Sequence, residues 1–214
     1  MTGLRVLLTD DEPHAGDDAE RALRAAGHDV VRCFDPNGRA FPCAGLDGSA
    51  GCPLRAGIVD VTLANRTALR ALPARAEDGV LCSIRHHVPV VVSGDLLFDP
   101  FEPWEAVAVS PGGDVVDACE RAARQPLRPH TEIAAAALHD TLQRWAERGA
   151  PADRPQVKAA MVAVRRHEGR LDVEVRARDV PVKSRDMLAV RIVAALRAFD
   201  RDARGIDVSF VEPS

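Results

Sequence analysis

The 214-residue chain has no tyrosine, two lysines against 26 arginines, and an aromatic share of only 4%. So few rings leave little material for stacking on unpaired bases, a main source of single-strand binding energy. The arginine bias reflects coding DNA rich in G and C more than any chemistry. No apolar run approaches the roughly 20 residues that a membrane-spanning helix needs. The amino terminus, MTGLRVLLTDDE, lacks the long apolar region and small-residue cleavage site of a secretory signal. A cytoplasmic location without a membrane partner is the expectation. The chain also has no C-x2-C pair, no phosphate-loop spacing and no nucleophile elbow. No helix-turn-helix pattern is present, and the C-terminal part has no G-x-x-G clamp. These absences leave nucleic-acid output without a motif and hydrolytic chemistry without a nucleophile.

The hydrophobic share, 46%, is ordinary for a globular protein, so a packed core can form. Charge is divided unevenly. Residues 1–127 carry 12 basic and 19 acidic side chains, and residues 128–214 carry 16 and 13. That asymmetry predicts two modules with different partners. The break falls at Gln125-Pro126-Leu127-Arg128-Pro129.

Strand-like apolar runs alternate with helical patterns in the first module, at 5–9, 29–33, 57–61, 88–93 and 106–110. Helices are expected at 17–26, 66–76 and 114–124, with Gly27 ending the first. This alternation predicts an α/β domain over residues 1–127: a five-stranded, doubly wound parallel sheet. A Cys-rich insertion, 33–55, interrupts it. Residues 128–214 predict a small α+β domain in the order α-β-β-α-β. Its helix at 132–148 precedes a hairpin, 157–166 with 171–178, across His167-Glu168-Gly169-Arg170. Ser184 reads as the N-cap of a helix over 185–199, and 206–211 is a last strand. His28, His130, His139 and His167 stand among polar residues near element ends, which predicts surface positions.

Directly after the first strand comes Thr9-Asp10-Asp11-Glu12. Paired carboxylates at a strand exit suit a hard divalent cation, which takes oxygen ligands. The segment RVLLTDDEPHAGDDAERALRAAGHDVV, with Asp60 in Gly57-Ile58-Val59-Asp60-Val61 and Ser93 in Val90-Val91-Val92-Ser93, resembles response-regulator receiver domains of the CheY-like type. The resemblance covers residues 4–125. It implies Mg²⁺ at Asp10, Asp11 and Asp60, phosphorylation of Asp60, and Ser93 as the switch hydroxyl. It also implies a histidine kinase as partner, or a homodimer. One position departs from the family: Ser110, before Pro111, stands where a lysine is expected, so a stabiliser of phosphoryl charge is missing.

Five cysteines in a cytoplasmic chain argue against structural disulfides. Cys33, Cys43, Cys52 and Cys82 follow a C-x9-C-x8-C-x29-C spacing, and Cys119 reads as core. The four thiolates could hold an iron–sulfur cluster or Zn²⁺, either of which would organise a Gly/Pro-rich loop. A redox pair and small buried hydrophobes are the other readings. In the second module the pattern VRRHEGRLDVEVRARDVPVKSRDMLAVRIVAALRAF faintly resembles the alkaline-shock protein family, which implies an interaction or assembly role. Three functions follow from the sequence. The first is an atypical receiver whose cysteine site senses metal or redox state and whose C-terminal domain binds a protein. The second is an active phosphorelay receiver using Asp60, and the third is a structural protein.

Overall fold

The structure, a computed structural model, describes residues 3–33, 43–47, 51–67, 72–94, 96–97, 99–147, 160–178 and 180–212. The chain divides into two compact units, Met1–Gln125 and Pro126–Ser214.

The first unit is built on a five-stranded, wholly parallel sheet. Its strands are β1 (Arg5–Asp10), β2 (Asp29–Val31), β3 (Val61–Arg66), β4 (Val90–Gly94) and β5 (Glu105–Val109), in the order β2-β1-β3-β4-β5. That is the order of one common doubly wound fold, with its crevice at the carboxyl ends of β1 and β3. The inner strands are buried on both faces, as a covered parallel sheet requires. Helix α1 (Asp17–Ala25) opens with Asp17, Asp18 and Glu20, which suit the positive end of its dipole. It closes at Gly27, φ +88°, where His28 N–H donates to Leu23 O and Gly27 N–H to Arg24 O. The insertion carries a four-residue helix, α2 (Ala44–Asp47), and α3 (Asp78–Arg85) follows a 3₁₀ turn at Arg75–Glu77. Helix α4 (Val115–Arg124) starts on Asp114, whose carboxylate accepts from Val116 and Asp117 N–H. Leu8, Val61, Leu63 and Val91 pack with Leu23 of α1 and Cys119 of α4. Val80 of α3 packs with Ala64, Val90, Val92 and Phe101.

The third strand and the helix expected at 66–76 differ from the sequence reading, and α2 and α3 were not expected. The third strand runs from Val61, four residues later than the predicted 57–61, because Val61, Thr62, Leu63 and Ala64 are all buried. Its register pairs Val6 with Val61 and Asp10 with Asn65. The helix expected at 66–76 is not formed over its described residues before the 3₁₀ turn. Pro73 denies a hydrogen bond to a helix there and pushes Leu72 toward extended backbone. Residues 68–71 of that expectation lie outside the described residues, as do the 34–42 and 48–50 parts of the insertion and residues 157–159 of the expected hairpin.

The second unit consists of α5 (Arg128–Glu147), β6 (Ala160–His167), β7 (Arg170–Ala177), α6 (Val182–Phe199) and β8 (Gly205–Val211). Its sheet has the order β6-β7-β8, antiparallel then parallel. Glu168 and Gly169, φ +50° and +76°, make the two-residue turn that matches strand twist. Leu171, Val173, Val175 and Ala177 face a core shared with Ala134 and Leu138 of α5 and Leu188, Ile192 and Leu196 of α6. Helix α6 begins at Val182 after Pro181, so Ser184 lies in its first turn and not at the N-cap. His130, expected at the surface, is fully buried. Its Nε2 meets Asp200 Oδ2 at 2.9 Å, and its ring stands edge-on to Phe199 at 5.1 Å. His28 is buried too: its Nδ1 accepts from Leu4 N–H.

Among the described residues no helix is long and apolar enough to cross a membrane.

Candidate functional site

The carboxyl edge of the first sheet is where this topology gathers polar side chains. The register sets Asp10, Asn65, Ser93 and Val109 in one row across β1, β3, β4 and β5. Ser93 is buried within that row, and Ser110 follows β5 at an exposed turn closed by Gly113 N–H on Ser110 O. Asp60 is not in it. It precedes β3 at the opposite, amino edge, where Arg5 N–H donates to its Oδ2 at 2.9 Å and its own N–H donates to Arg5 O. Arg5 and Asp10 are the two ends of β1. At the rise of a strand, roughly 16 Å separates them. The four-residue displacement of β3 therefore removes Asp60 from the acidic pair, and Asn65 takes the position beside Asp10. The expected Mg²⁺ set of Asp10, Asp11 and Asp60 is not assembled.

Both remaining carboxylates are engaged within the chain. Asp10, 2% exposed, accepts from the Arg32 guanidinium at 2.5 Å. Arg32 leaves β2, is itself nearly buried, and also reaches Glu20 at 3.1 Å and Asp17 at 3.7 Å on α1. Burial pushes the Asp10 carboxyl above its usual range, against the hydrogen bond and charge of Arg32. Gly16 closes the other side. A Cβ at that position would fall 2.1 Å from Asp10 Oδ1. Asp11 takes N–H and hydroxyl donations from Thr67, at 2.9–3.0 Å. One strand further, Arg66 lies buried, with Glu77 at 2.9 Å, Asp99 at 3.6 Å and the Phe101 ring beneath it at 5.7 Å. Among the described residues, Arg32 and Arg66 thus supply positive charge at this edge. Neither was legible as a site residue, since a lone arginine at a strand end reads as solvated.

A second cluster lies below the sheet's other face. Cys33 follows Arg32, Cys43 and Cys52 flank α2, and Cys82 is on α3. Cys33 is buried with Leu7, Leu54, Val59 and Val88, and Cys43 and Cys52 pack against that group. Burial pushes the Cys33 thiol up to about 12, and the neighbouring Cys52, Cys43 and Cys82 act in the same direction. The Cys82 thiol is raised by burial and then by Cys52 and Cys43, with Arg85 opposing. The four thiols come from three separate segments, and all are free. Cys119 is raised to about 12 by burial alone, inside the α4 core. Among the described residues no group of three or more His, Cys, Asp or Glu side chains is arranged at metal-holding geometry.

Glycines bring the segments together. A Cβ at Gly79 of α3 would lie 2.8 Å from the Thr9 methyl and 3.4 Å from Cys33 Sγ. A Cβ at Gly45 would lie 2.8 Å from Cys52 Cβ. Gly79 also weakens the helical signal of a short segment, which hid α3 and the placement of Cys82 from the sequence reading. Gly79→Ala is expected to push α3 off β1 and β2 and to cost about 1–3 kcal/mol in urea unfolding, the usual effect of overpacking. An unchanged midpoint would contradict the close approach.

Compared with known proteins, the chain matches no protein-family model and none of the curated proteins.

Proposed function

We propose that this protein is a receiver-like signalling module in which a thiolate-ligated metal centre replaces phosphorylation as the input. The ligands are Cys33, Cys43, Cys52 and Cys82, and the centre is an iron–sulfur cluster or Zn²⁺, sensing metal or redox state. The observation that carries this reading is the packing of Cys43 and Cys52 against buried Cys33, with Cys82 on α3, the helix whose Gly79 stands against Cys33, while Cys119 lies in a separate core. Four thiolates suit tetrahedral Zn²⁺ or a cluster. Binding would supply the folding energy that an insertion rich in glycine and proline cannot obtain from its own core. A set of small buried hydrophobes is a weaker account, because Cys82 is exposed and gains little from burial.

The acidic edge supports the same reading. Asn65 beside Asp10 offers no carboxylate to phosphorylate, and Arg32 already neutralises Asp10. Output belongs to a protein partner or a second copy. The second unit carries exposed apolar side chains on α6, Met187 and Val190, for such contact.

The test is a titration of the metal-free full chain with Zn²⁺, and separately with iron and sulfide, under anaerobic conditions. One centre per chain, with protection of four thiols from alkylation, is expected. Saturation without thiol protection would overturn the assignment.

A further inference from the structure

Residues of the β4–β5 connection and of β5 line a cleft of about 630 Å³ in the first unit, a size usual for small-molecule sites. Leu96, Leu97 and Pro100 give it an apolar wall, and Asp99, Glu102 and Glu105 bring three carboxyl groups. The Asp99 side chain is only 5% exposed. Its Oδ1 accepts from Phe101 N–H at 2.8 Å and faces the Arg66 guanidinium at 3.6 Å. Its Oδ2 is buried with no hydrogen-bond donor. A buried carboxylate oxygen left in that state is costly. Arg66 does not offset it fully, because the same guanidinium also pairs with Glu77 at 2.9 Å. Glu105 adds to the imbalance. Burial raises its carboxyl above the usual range, the Asp99 charge and the proton the two can share act in the same direction, and so does Glu102. No cation opposes that rise. A bound cation would relieve it by supplying the missing donor.

We propose that this cleft binds a small aliphatic diamine in its doubly charged form, with one ammonium group at Asp99 and Glu105, the other at Glu102, and the methylenes against Leu96, Leu97 and Pro100. An ammonium group carries three donors and no acceptor, which is what Asp99 Oδ2 and the Glu105 carboxylate require. Hydrogen bonds between charged partners are about twice as strong as neutral ones. A metal ion fits this cleft less well. Among the described residues no group of three or more His, Cys, Asp or Glu side chains is arranged to hold one. A small hard cation also keeps several of its waters, which the apolar wall cannot satisfy. An alkyl chain covers that wall instead. Glu102 and Leu97 are both exposed, so the cleft is open to solvent on their side. The site uses no cysteine and stands apart from the thiol reading.

The experiment titrates the full chain by calorimetry with the diamine putrescine, beside butylamine, butanediol and Mg²⁺. Salt is held at about 0.15 M, where exposed charges are largely screened. One putrescine per chain is expected. Butylamine, lacking the second charge, is expected to bind about ten-fold more weakly, and butanediol not to bind. Glu105→Gln is expected to weaken putrescine by about ten-fold or more. Its urea midpoint is expected to stay level or rise, because the new amide N–H can donate to Asp99 Oδ2. Glu102→Gln, a change at an exposed position, is expected to reduce putrescine to the affinity of butylamine. Asp18→Asn removes an exposed charge from α1 of the same unit and is expected to bind as wild type does. Mg²⁺ bound as tightly as putrescine, or equal losses in Asp18→Asn and Glu105→Gln, would mean a diffuse acidic surface and overturn the site. Wild type that binds no putrescine would overturn it as well.

Discussion

Asp200→Ala is expected to destabilise the second unit by about 3–5 kcal/mol, the cost of breaking a buried ion pair from one side. Asp200 follows α6 and is 4% exposed. Its Oδ2 accepts from Arg166 of β6 and meets His130 of α5, and its Oδ1 accepts from Asp202 and Ala203 N–H. One carboxylate therefore links α5, β6 and the turn before β8. Removing it leaves the buried charge of Arg166, 3% exposed, without its carboxylate. Urea unfolding followed through Trp145, which packs on this core, measures the loss. The double variant Asp200→Ala/Arg166→Met removes both charges and is expected to be more stable than Asp200→Ala alone. If the double variant is the weaker of the two, the loss is one of packing and not of charge.

The same group sets an acid response. Burial alone would raise the Asp200 carboxyl, but the His130 hydrogen bond and the Arg166 charge hold it well below the usual carboxylate range. A carboxyl depressed in the folded state contributes stability that is complete above its unfolded pKa, near 3.9. That contribution is lost as pH falls from about 4 through the folded value. The wild-type second unit is thus expected to lose stability steeply below pH 4, and Asp200→Ala to lose less over the same interval.

The second large effect concerns the thiols. Cys52→Ser is expected to weaken metal binding by two orders of magnitude or more, since a hydroxyl is neither soft nor ionised at neutral pH. Cys119→Ser is the control: Cys119 is fully buried where Cys52 is partly buried, and it lies in the α4 core, apart from the other four. It is expected to cost stability by placing a hydroxyl among apolar groups, about 1–3 kcal/mol, and to leave metal binding unchanged. Equal losses of metal in both variants would mean that the protein responds to core damage and has no site.

The elements on either side of the insertion were legible because their apolar patterns are bounded by clear stops, such as Gly27 after α1 and Asp114 before α4. The β6–β7 hairpin was legible for the same reason, with alternation and a Glu168-Gly169 turn. The third strand was not. Residues 57–64 form one apolar stretch around Asp60, and local pattern fits a strand in either half. Only pairing with β1 selects Val61–Arg66, and that choice moves Asp60 from one edge of the sheet to the other. A pairing register is a long-range fact, so a motif anchored on one aspartate could not supply it. The choice of cysteines does not depend on that register because its members are defined by side-chain chemistry, whereas Arg32 needed the fold to show that its charge points inward.

The most direct measurement is elemental and sulfide analysis of the full chain purified anaerobically from cells, with Cys52→Ser prepared in parallel. The account predicts one metal centre per wild-type chain, as iron with matching sulfide or as a single Zn²⁺, and none in Cys52→Ser. Wild type free of both metals, or the same metal content in the two proteins, would contradict it.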